Sequence, residues 1–301
     1  MSGRLIIISL IWIVTSVFSQ SYNWPCQPFD QQHWINGTFC ECRTGSAGDI
    51  DHFHDGVDIH LPQGSAVYSV INGTVTSIGT SNDYGINSWV RVGRYCSVHI
   101  DPNPALSVGD NITAYETVLG WTNSWNHIHF KDGYPGSEIN PIRLNGGLTP
   151  LVDNDEPQAD WVKFYPDNST QQFENNRVFG AVDIVCKASD RTDEGPISDN
   201  NGIYKIGYEI LNNDGESVFG PHLPFEFNEI PVSDNYISNV YFTGSNTSYY
   251  LYIVSNNLYS NSFLNVTEWD VGEYTARIYV YDQYLNENIT DVSFEVVEMD
   301  T

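Results

Sequence analysis

Residues 51–60 read Asp51-His-Phe-His-Asp-Gly-Val-Asp-Ile-His60, and residues 126–130 read Asn126-His-Ile-His-Phe130. The first stretch places three imidazoles and three carboxylates within ten residues. In the second, two histidines stand at positions i and i+2, which point to the same face of a β-strand. Such a pair supplies two nitrogen ligands or one ligand and one catalytic group. A hydrolytic zinc site needs three protein ligands and an open position for water, so a third ligand must come from elsewhere.

Several motifs in these stretches resemble those of the lysostaphin/LytM-type zinc endopeptidases. His54-Asp-Gly-Val-Asp-Ile59 with Pro62-Gln-Gly-Ser-Ala-Val67 is similar to the family's His-x-Gly-x-Asp-Ile and Pro-x-Gly-x-x-Val. The later matches are Gly73-Thr-Val75, Val108-Gly-Asp110 with Leu119-Gly120, and His127-Ile-His-Phe130. Features in the right order over about 80 residues are more specific than any one motif. The resemblance covers roughly residues 45–143 and leaves the remainder of the chain unexplained.

The resemblance implies a metal site with one Zn²⁺ per chain. Transferred position by position, His54, Asp58 and His129 would be the zinc ligands, and His127 would be catalytic. His99, in Val98-His-Ile100, is the best match to the histidine of the family's Tyr-x-His-Leu motif. Two nitrogens and one oxygen leave the metal Lewis-acidic and able to activate water. His127 and His99 would take up its proton and hydrogen-bond the developing oxyanion.

The chain departs from the family pattern at three places. Tyr95 lies four residues before His99 instead of two, so the family's tyrosine is displaced or replaced by Ser97. The loop before the closing motif is shortened to residues 121–126, and Lys131 stands where the family commonly has Glu. These differences affect one wall of the expected cleft and leave the three ligand positions intact.

Other candidates have alternative interpretations. His52 and His60 share strand parity with His54 and Asp58, so either is a candidate for supporting the ligands from behind. Trp121 and Trp125 are expected to lie half in the core and half in a cleft wall, where rings stack on sugar or peptide. His33 and His222 are assigned no role.

Composition restricts the classes of partner. Twelve Lys and Arg against 38 Asp and Glu give a net charge of −26. This balance argues against nucleic acid and against anionic lipid surfaces. Hydrophobic residues make up 41% and aromatic residues 14% of the chain, which is sufficient for a packed core.

The N-terminus predicts export. Arg4 precedes an apolar run over residues 5–18, followed by small and polar residues at 19–21. The run is shorter than the about 20 residues needed to span a bilayer, which favours a signal peptide over residues 1–20. An uncleaved anchor is the alternative. No second run of spanning length follows, so the mature chain is expected to be secreted or envelope-associated without stable membrane insertion. A disulfide from Cys26 to Cys40 or Cys42 would fit that compartment.

The turn and strand pattern predicts a chain of short strands, and the resemblance implies an all-β, mostly antiparallel sheet for the peptidase domain. Residues 67–71 and 73–78 are expected to form a hairpin around Asn72-Gly73, with further strands at 89–92 and 95–100. A change of composition over 148–161 places a domain boundary there, dividing a peptidase domain (21–150) from an accessory domain (151–301). In the latter, alternating runs at 180–187, 202–212, 239–242, 248–254, 272–282 and 292–297 suggest about seven strands of an immunoglobulin-like β-sandwich.

Together these patterns predict a secreted zinc metalloendopeptidase that hydrolyses amide bonds of peptidoglycan peptides. The sandwich would position the enzyme on the wall, the envelope or another protein. Two alternatives remain open: a catalytically inactive LytM-like binding or regulatory module, and a zinc peptidase acting on proteins. Residues 22–50 are also a candidate for a segment that caps the site before activation.

Overall fold

The computed structural model describes residues 21–45, 48–196 and 198–299. Over these residues the chain is nearly all β with antiparallel sheets, so the predicted fold class is confirmed. The strands are β1 (Ile35–Gly37), β2 (Cys42–Thr44), β3 (Ile50–Phe53), β4 (Val57–His60), β5 (Ala66–Tyr68), β6 (Gly73–Gly79), β7 (Trp89–Val92), β8 (Tyr95–Val98), β9 (Ile100–Pro102), β10 (Asn111–Ile112), β11 (Val118–Thr122), β12 (His127–Asp132), β13 (Gln158–Pro166), β14 (Arg177–Val178), β15 (Ala181–Ser189), β16 (Lys205–Leu211), β17 (Ser217–Glu226), β18 (Leu251–Ile253), β19 (Leu264–Asn265), β20 (Gly272–Tyr281) and β21 (Glu287–Val296). The described residues also form two single-turn helices, α1 (Ser81–Tyr84) and α2 (Ile237–Val240), and 3₁₀ turns at 85–87, 174–176 and 234–236.

The first half is built on a seven-stranded sheet in the order β1-β4-β12-β8-β7-β6-β10. A three-stranded sheet, β5-β11-β9, and the β2–β3 hairpin accompany it. Val57 and Ile59 of β4, and Ile128 and Phe130 of β12, are buried in the core. The residues that alternate with them lie on the opposite face of the sheet.

The second half contains two antiparallel sheets that pack against each other. One has the order β13-β15-β18 with β19 also paired to β15, and the other has the order β14-β21-β20-β16-β17. The short β14 pairs with β21 in parallel, an exception in this otherwise antiparallel sheet. Phe164 of β13 and Phe294 of β21 meet in the shared core with their ring centroids 5.0 Å apart.

The two halves are joined by a common core and by buried hydrogen bonds. Phe53 packs against Tyr241, with ring centroids 6.2 Å apart. The Tyr241 hydroxyl donates to the carbonyl oxygen of Cys40 at 2.8 Å, and the Gly202 N–H donates to the Glu41 carboxylate at 2.7 Å. Segments near the candidate site are therefore held by residues far away in sequence.

Three secondary-structure predictions were wrong, one of them the single strand over 95–100, which is interrupted at His99 between β8 and β9. Residues 67–71 and 73–78 do not form a hairpin, because β5 pairs with β11 while β6 pairs with β7 and β10. Residues 239–242 overlap helix α2, which buries Ile237 and Val240 on one side. A short apolar run fits either a strand or one helical turn, and its surroundings decide between them.

The predicted disulfide is also absent, since all five cysteines are buried and unpaired. The Sγ atoms of Cys40 and Cys42 both approach carbonyl groups of the second half, those of Glu229 and Asn246 at 3.9 and 3.4 Å. Burial raises the pKa of the Cys26 thiol to about 12. These side chains serve as small core residues in this fold.

The predicted signal peptide, residues 1–20, lies outside the described residues. Among the residues that the structure covers, none forms a helix long and apolar enough to cross a membrane.

Candidate metal centre

The site lies where β4 and β12 are neighbours in the large sheet. Their antiparallel register places Asp58 directly opposite His129, and His60 opposite His127. Directly opposite residues project from the same face with Cβ atoms about 4.5–5.5 Å apart. Strand pairing therefore brings together a carboxylate and an imidazole that are 71 positions apart in sequence.

The three predicted zinc ligands converge on one point. His54 Nε2 lies 2.7 Å from His129 Nδ1. Both nitrogens lie 3.0 Å from Asp58 Oδ1. All three residues are buried or nearly so, and together they form a possible His/Asp metal site.

Hydrogen bonds fix which nitrogen of each histidine faces this point. His54 Nδ1 lies 2.7 Å from the carbonyl oxygen of Thr38, and His129 Nε2 lies 2.8 Å from Asp55 Oδ1. Carbonyl and carboxylate oxygens only accept, so both contacts are satisfied when these nitrogens carry the hydrogen of the neutral ring. Arg43 Nη2, which also lies 3.0 Å from His54 Nδ1, then donates to Asp58 instead. The other nitrogens then direct lone pairs at each other and at Asp58. Three lone-pair donors in contact suit a cation, so this donor set fits a zinc ion.

Asp55 supports His129 from behind, in the arrangement common for metal-ligating histidines. Its second oxygen accepts a hydrogen bond from Lys131 Nζ at 2.5 Å. Lys131, one of the positions that differ from the LytM-type motif, thus compensates the charge of Asp55. Gly56 permits this close packing, because a Cβ there would lie 2.5 Å from the Phe130 carbonyl oxygen and 3.0 Å from the His129 ring.

Arg43 supports Asp58 in a comparable way. Its Nη2 donates to Asp58 Oδ2 at 3.0 Å, and its Nη1 donates to Glu41 Oε2 at 2.5 Å. Glu41 is itself buried and accepts hydrogen bonds from the N–H groups of Thr38 and Gly202. The carboxylate of Asp58 is therefore oriented by a chain of contacts that reaches the second half of the molecule.

His99 and His127 lie beside the cluster, with ring centroids 4.8 Å apart. The Nδ1 atom of His99 hydrogen-bonds the Ile86 carbonyl at 2.8 Å, and that of His127 the Trp125 carbonyl at 3.0 Å. Each ring therefore keeps its Nε2 available, and His127 Nε2 lies 3.7 Å from Asp58 Oδ1. His99 has a left-handed backbone (φ 63°) between β8 and β9, an uncommon conformation for a side chain of this size.

The pKa values of the four histidines at the site are shifted in different directions by their surroundings. Burial lowers the pKa of His99 to about 4 and also lowers the pKa values of His54 and His127. For His129, burial acts in the same direction, but hydrogen bonds to Asp55 and Asp58 outweigh it and raise the pKa. Conversely, the contacts with His54, His129 and the Arg43 guanidinium hold the pKa of Asp58 well below its usual value despite burial. At neutral pH, His99 and His127 are therefore neutral bases.

The site opens into a cleft of about 860 Å³. Its lining includes the five predicted site residues together with Trp89, Arg91, Trp125 and Thr247. Trp125 is 47% exposed, and its ring centroid lies 4.4 Å from that of His99. It thus forms part of the cleft wall, as predicted, whereas Trp121 does not line the cleft.

The remaining histidines lie outside the convergent cluster. His52 lies at the cleft edge and pairs with Asp51, and His60 stacks on Trp34 with centroids 4.4 Å apart. His33 packs near Trp24, and His222 lies on β17.

Three supporting residues were not identified from the sequence: Glu41, Arg43 and Asp55. Asp55 had a detectable signal, because it is an acidic residue inside the first motif and metal-ligating histidines commonly donate to a carboxylate. Arg43 and Glu41 had none, since their contacts depend on how the β2–β3 hairpin folds onto the sheet. Residues 22–50 thus include side chains that brace the site from behind and, at Arg43 and Thr44, border the cleft.

Comparisons with known proteins give limited further information. No family model matches the chain, and no curated protein gives a significant match. The crystal structure of CbpA from L. salivarius REN aligns at 25% identity with a TM-score of 0.27, over 37% of this chain and 76% of that chain. The NMR solution structure of lysostaphin aligns at 11% identity with a TM-score of 0.32, over 93% of this chain and 99% of that chain.

A further structure, of the antimicrobial peptidase lysostaphin from Staphylococcus simulans, aligns at 16% identity with a TM-score of 0.26. The match extends over 67% of this chain and 100% of that chain. All three TM-scores are below 0.5, so these likenesses establish neither a common overall fold nor a common activity. Evidence on function therefore comes from the motifs and from the geometry of the site.

Proposed function

We propose that the chain is a secreted zinc metalloendopeptidase that hydrolyses amide bonds of peptidoglycan peptides. The observation that supports this most directly is the convergence of His54 Nε2, Asp58 Oδ1 and His129 Nδ1 within 3.0 Å. The other polar atom of each side chain already has a partner: His54 Nδ1 contacts Thr38, His129 Nε2 contacts Asp55, and Asp58 Oδ2 contacts Arg43. The three converging atoms therefore remain to bind one zinc ion.

Bound there, Zn²⁺ would act as a Lewis acid that polarises the amide carbonyl and lowers the pKa of water. The protein's own contribution comes from His127 and His99. Both are neutral at pH 7, and each has its Nδ1–H held by a backbone carbonyl, so each Nε2 can accept a proton. After accepting it, the ring becomes a donor that can hydrogen-bond the developing oxyanion or protonate the leaving amine.

The substrate class follows from the motif resemblance and is supported by the form of the cleft. The cleft is open along one side of the site and bears the exposed ring of Trp125, which can stack on a sugar or a peptide plane. Residues 1–20 would be the signal peptide, 21–150 the peptidase domain and 151–301 an accessory domain that positions the enzyme on the wall or envelope.

The decisive experiment is zinc stoichiometry on the purified mature protein. We expect one zinc per chain in the wild type and none in His129→Ala or Asp58→Ala. His52→Ala is the matched control, because His52 lies at the edge of the same cleft and pairs only with the neighbouring Asp51. It should retain one zinc. Circular dichroism of each variant establishes that the fold is intact.

Digestion assays then distinguish the remaining possibilities. Release of peptide fragments from purified peptidoglycan, lost in His127→Ala, supports the proposed activity. Zinc binding with cleavage of denatured proteins but not of peptidoglycan would indicate a protein-directed peptidase. A folded wild-type chain that binds no zinc would disprove the hydrolase proposal and favour a binding module.

A further inference from the structure

Three buried aspartates form a second cluster, in the other half of the molecule. Asp153 precedes β13, Asp190 directly follows β15, and Asp282 directly follows β20. One carboxylate oxygen from each lies within 4.8 Å of those from the other two. All three side chains are buried, with exposed fractions of 7%, 7% and 0%.

No cationic side chain neutralises this cluster. Among the ion pairs of the described residues, none involves these three aspartates, and the neighbouring Arg191 pairs with Asp155 at 2.5 Å. Burial and the nearby negative charges of Asp153, Asp282 and Asp155 raise the pKa of Asp190 well above its usual value. Three carboxylates in such a place must either be protonated or share a cation.

The hydrogen-bond partners show one carboxylate incompletely satisfied. Asp282 is well supplied, because it accepts from the N–H groups of Tyr284 and Asn286 and from the Asn286 side-chain amide. In contrast, Asp190 Oδ1 is buried and has no hydrogen-bond partner. Unpartnered buried acceptors are rare in folded proteins and indicate a missing donor or ion.

A separate residue beside Asp190 has the same deficit. Asn201 faces Asp190 across an isolated antiparallel bridge, so their side chains project from the same side of the two strands. The side-chain oxygen of Asn201 is buried without a partner, while its amide group donates to the Ile35 carbonyl at 3.0 Å. Asp190 of the cluster and Asn201, its partner across this bridge, thus each carry a buried side-chain oxygen without a hydrogen-bond partner.

We propose that Asp153, Asp190 and Asp282 bind a structural calcium ion. The ligands are all oxygens, which suits hard divalent cations and not zinc. They come from three separate loops, and Ca²⁺ tolerates the irregular geometry that results better than Mg²⁺ does. Asp190 also borders a surface depression whose lining includes four further acidic residues, Asp155, Glu156, Asp160 and Asp199, and one cation, Arg191, which pairs with Asp155. The excess of negative charge favours entry of a cation there.

The ion would fasten the connector between the two halves. Asp153 lies on that connector, and its carbonyl oxygen accepts a hydrogen bond from Asn286 Nδ2 at 2.9 Å. The Tyr284 hydroxyl also bonds the carbonyl oxygen of Leu151 on the same segment. Binding would therefore tie residues 151–153 to the ends of β15 and β20 and stabilise the folded chain.

The test is a calcium titration of the mature protein, first treated with a chelating resin and then reloaded with one equivalent of Zn²⁺. We expect Ca²⁺ to raise Tm by several degrees with saturation, and equilibrium dialysis to give one Ca²⁺ per chain. Mg²⁺ at equal concentration should give a smaller shift. The His129→Ala variant should keep the calcium response, so this test does not depend on the zinc proposal.

Removing one carboxylate of the cluster should change Tm in opposite directions without and with calcium, relative to wild type. Asp190→Asn should raise Tm without calcium, because it removes one repelling charge, and should lose the calcium shift. Asp214→Asn is the matched control, since Asp214 lies exposed in the turn between β16 and β17 and should leave the shift unchanged. If Asp190→Asn fails to fold, Asp153→Asn serves in its place. The proposal is overturned by a wild type without a calcium shift, or by a shift that persists in the folded cluster variants.

Discussion

The two clusters of candidate metal ligands differ in atom type, charge and access. The cluster at His54, Asp58 and His129 combines two nitrogens with one carboxylate and opens into a cleft. The cluster at Asp153, Asp190 and Asp282 has carboxylates alone and is buried, with Asp190 at the edge of a surface depression. Arg43 pairs with the carboxylate of the first cluster, whereas the second has no basic partner among the described residues.

This difference fits the two proposed roles, a catalytic metal at the first cluster and a structural cation at the second. A low ligand charge and an open side favour a Lewis-acidic metal with room for substrate. A high ligand charge in a closed pocket favours a hard cation whose binding energy goes into folding. If the comparison is valid, substitutions in the first cluster should affect activity and those in the second should affect stability.

The largest effect is expected at the histidines beside the first cluster. His127→Ala and His99→Ala should each lower kcat by about 10²- to 10⁴-fold, the usual range for loss of an acid–base group. Zinc content and Tm should stay close to wild type, because neither ring contacts more than one ligand atom. Steady-state kinetics with a peptidoglycan-derived peptide measures the effect, with His52→Ala as control. Loss of zinc in His127→Ala would assign it a ligand role instead.

A smaller effect is expected from the contacts behind Asp58. Arg43→Gln should weaken zinc affinity or activity by about 10- to 100-fold, as is usual when a group that orients a metal ligand is removed. Arg43→Lys should recover part of this, since it keeps the charge but not the two-armed contact to Asp58 and Glu41. Competition with a zinc chelator measures the affinity. Arg177→Gln, which breaks an exposed pair with Glu295, is the control.

Tighter zinc binding in Arg43→Gln would contradict this expectation. It would mean that repulsion between the guanidinium and the metal outweighs the orientation of Asp58.

The smallest effect is a difference in how stability depends on pH. Burial and the neighbouring Asp282 charge raise the pKa of Asp153 from its usual 3.8 to about 7. In the cation-free protein, its contribution to stability is therefore present below pH 4 and lost as the pH rises through about 7. His99 has the opposite sign, because its pKa is lowered from 6.5 to about 4, and its contribution is lost as the pH falls through 4.

Urea unfolding between pH 4 and pH 7 measures this difference. The stability of Asp153→Asn relative to wild type should increase as the pH rises over that interval, and saturating Ca²⁺ should abolish the increase. Asp214→Asn should show a constant difference from wild type. If the stability difference between Asp153→Asn and wild type is also constant with pH, the pKa of Asp153 is not raised by burial and by Asp282.

Sequence predicted the parts of the molecule that depend on local spacing. The i, i+2 spacing of His127 and His129 was expected to place both side chains on one face of a strand, and the two residues do lie on one strand, β12. The prediction that His54, Asp58 and His129 act as ligands remains to be tested, although the fold brings their side chains into contact. Residues 95–100 were predicted as one strand, but the left-handed backbone of His99 divides them into β8 and β9.

Features that depend on pairing between distant segments were not predictable in this way. Asn72-Gly73 has the sequence of a hairpin turn, yet the strands on either side find partners elsewhere in the chain. The contact between Arg43 and Asp58 joins two strands, β2 and β4, that do not pair with each other. The aspartate cluster assembles from three loops within residues 153–282. Spacing in sequence carries no information on such contacts.

The hydrogen bond from Gly202 to Glu41 limits how this architecture can be recombined. In enzymes assembled from independent modules, a targeting unit can be exchanged without regard to the catalytic unit. Here the second half supplies a donor to the carboxylate that holds Arg43, which in turn holds Asp58. A chimera carrying a foreign C-terminal module would lose one of the donors to the buried Glu41 carboxylate, which would then depend on Thr38 and Arg43 alone. The two halves are therefore expected to evolve as a matched pair and not as interchangeable parts.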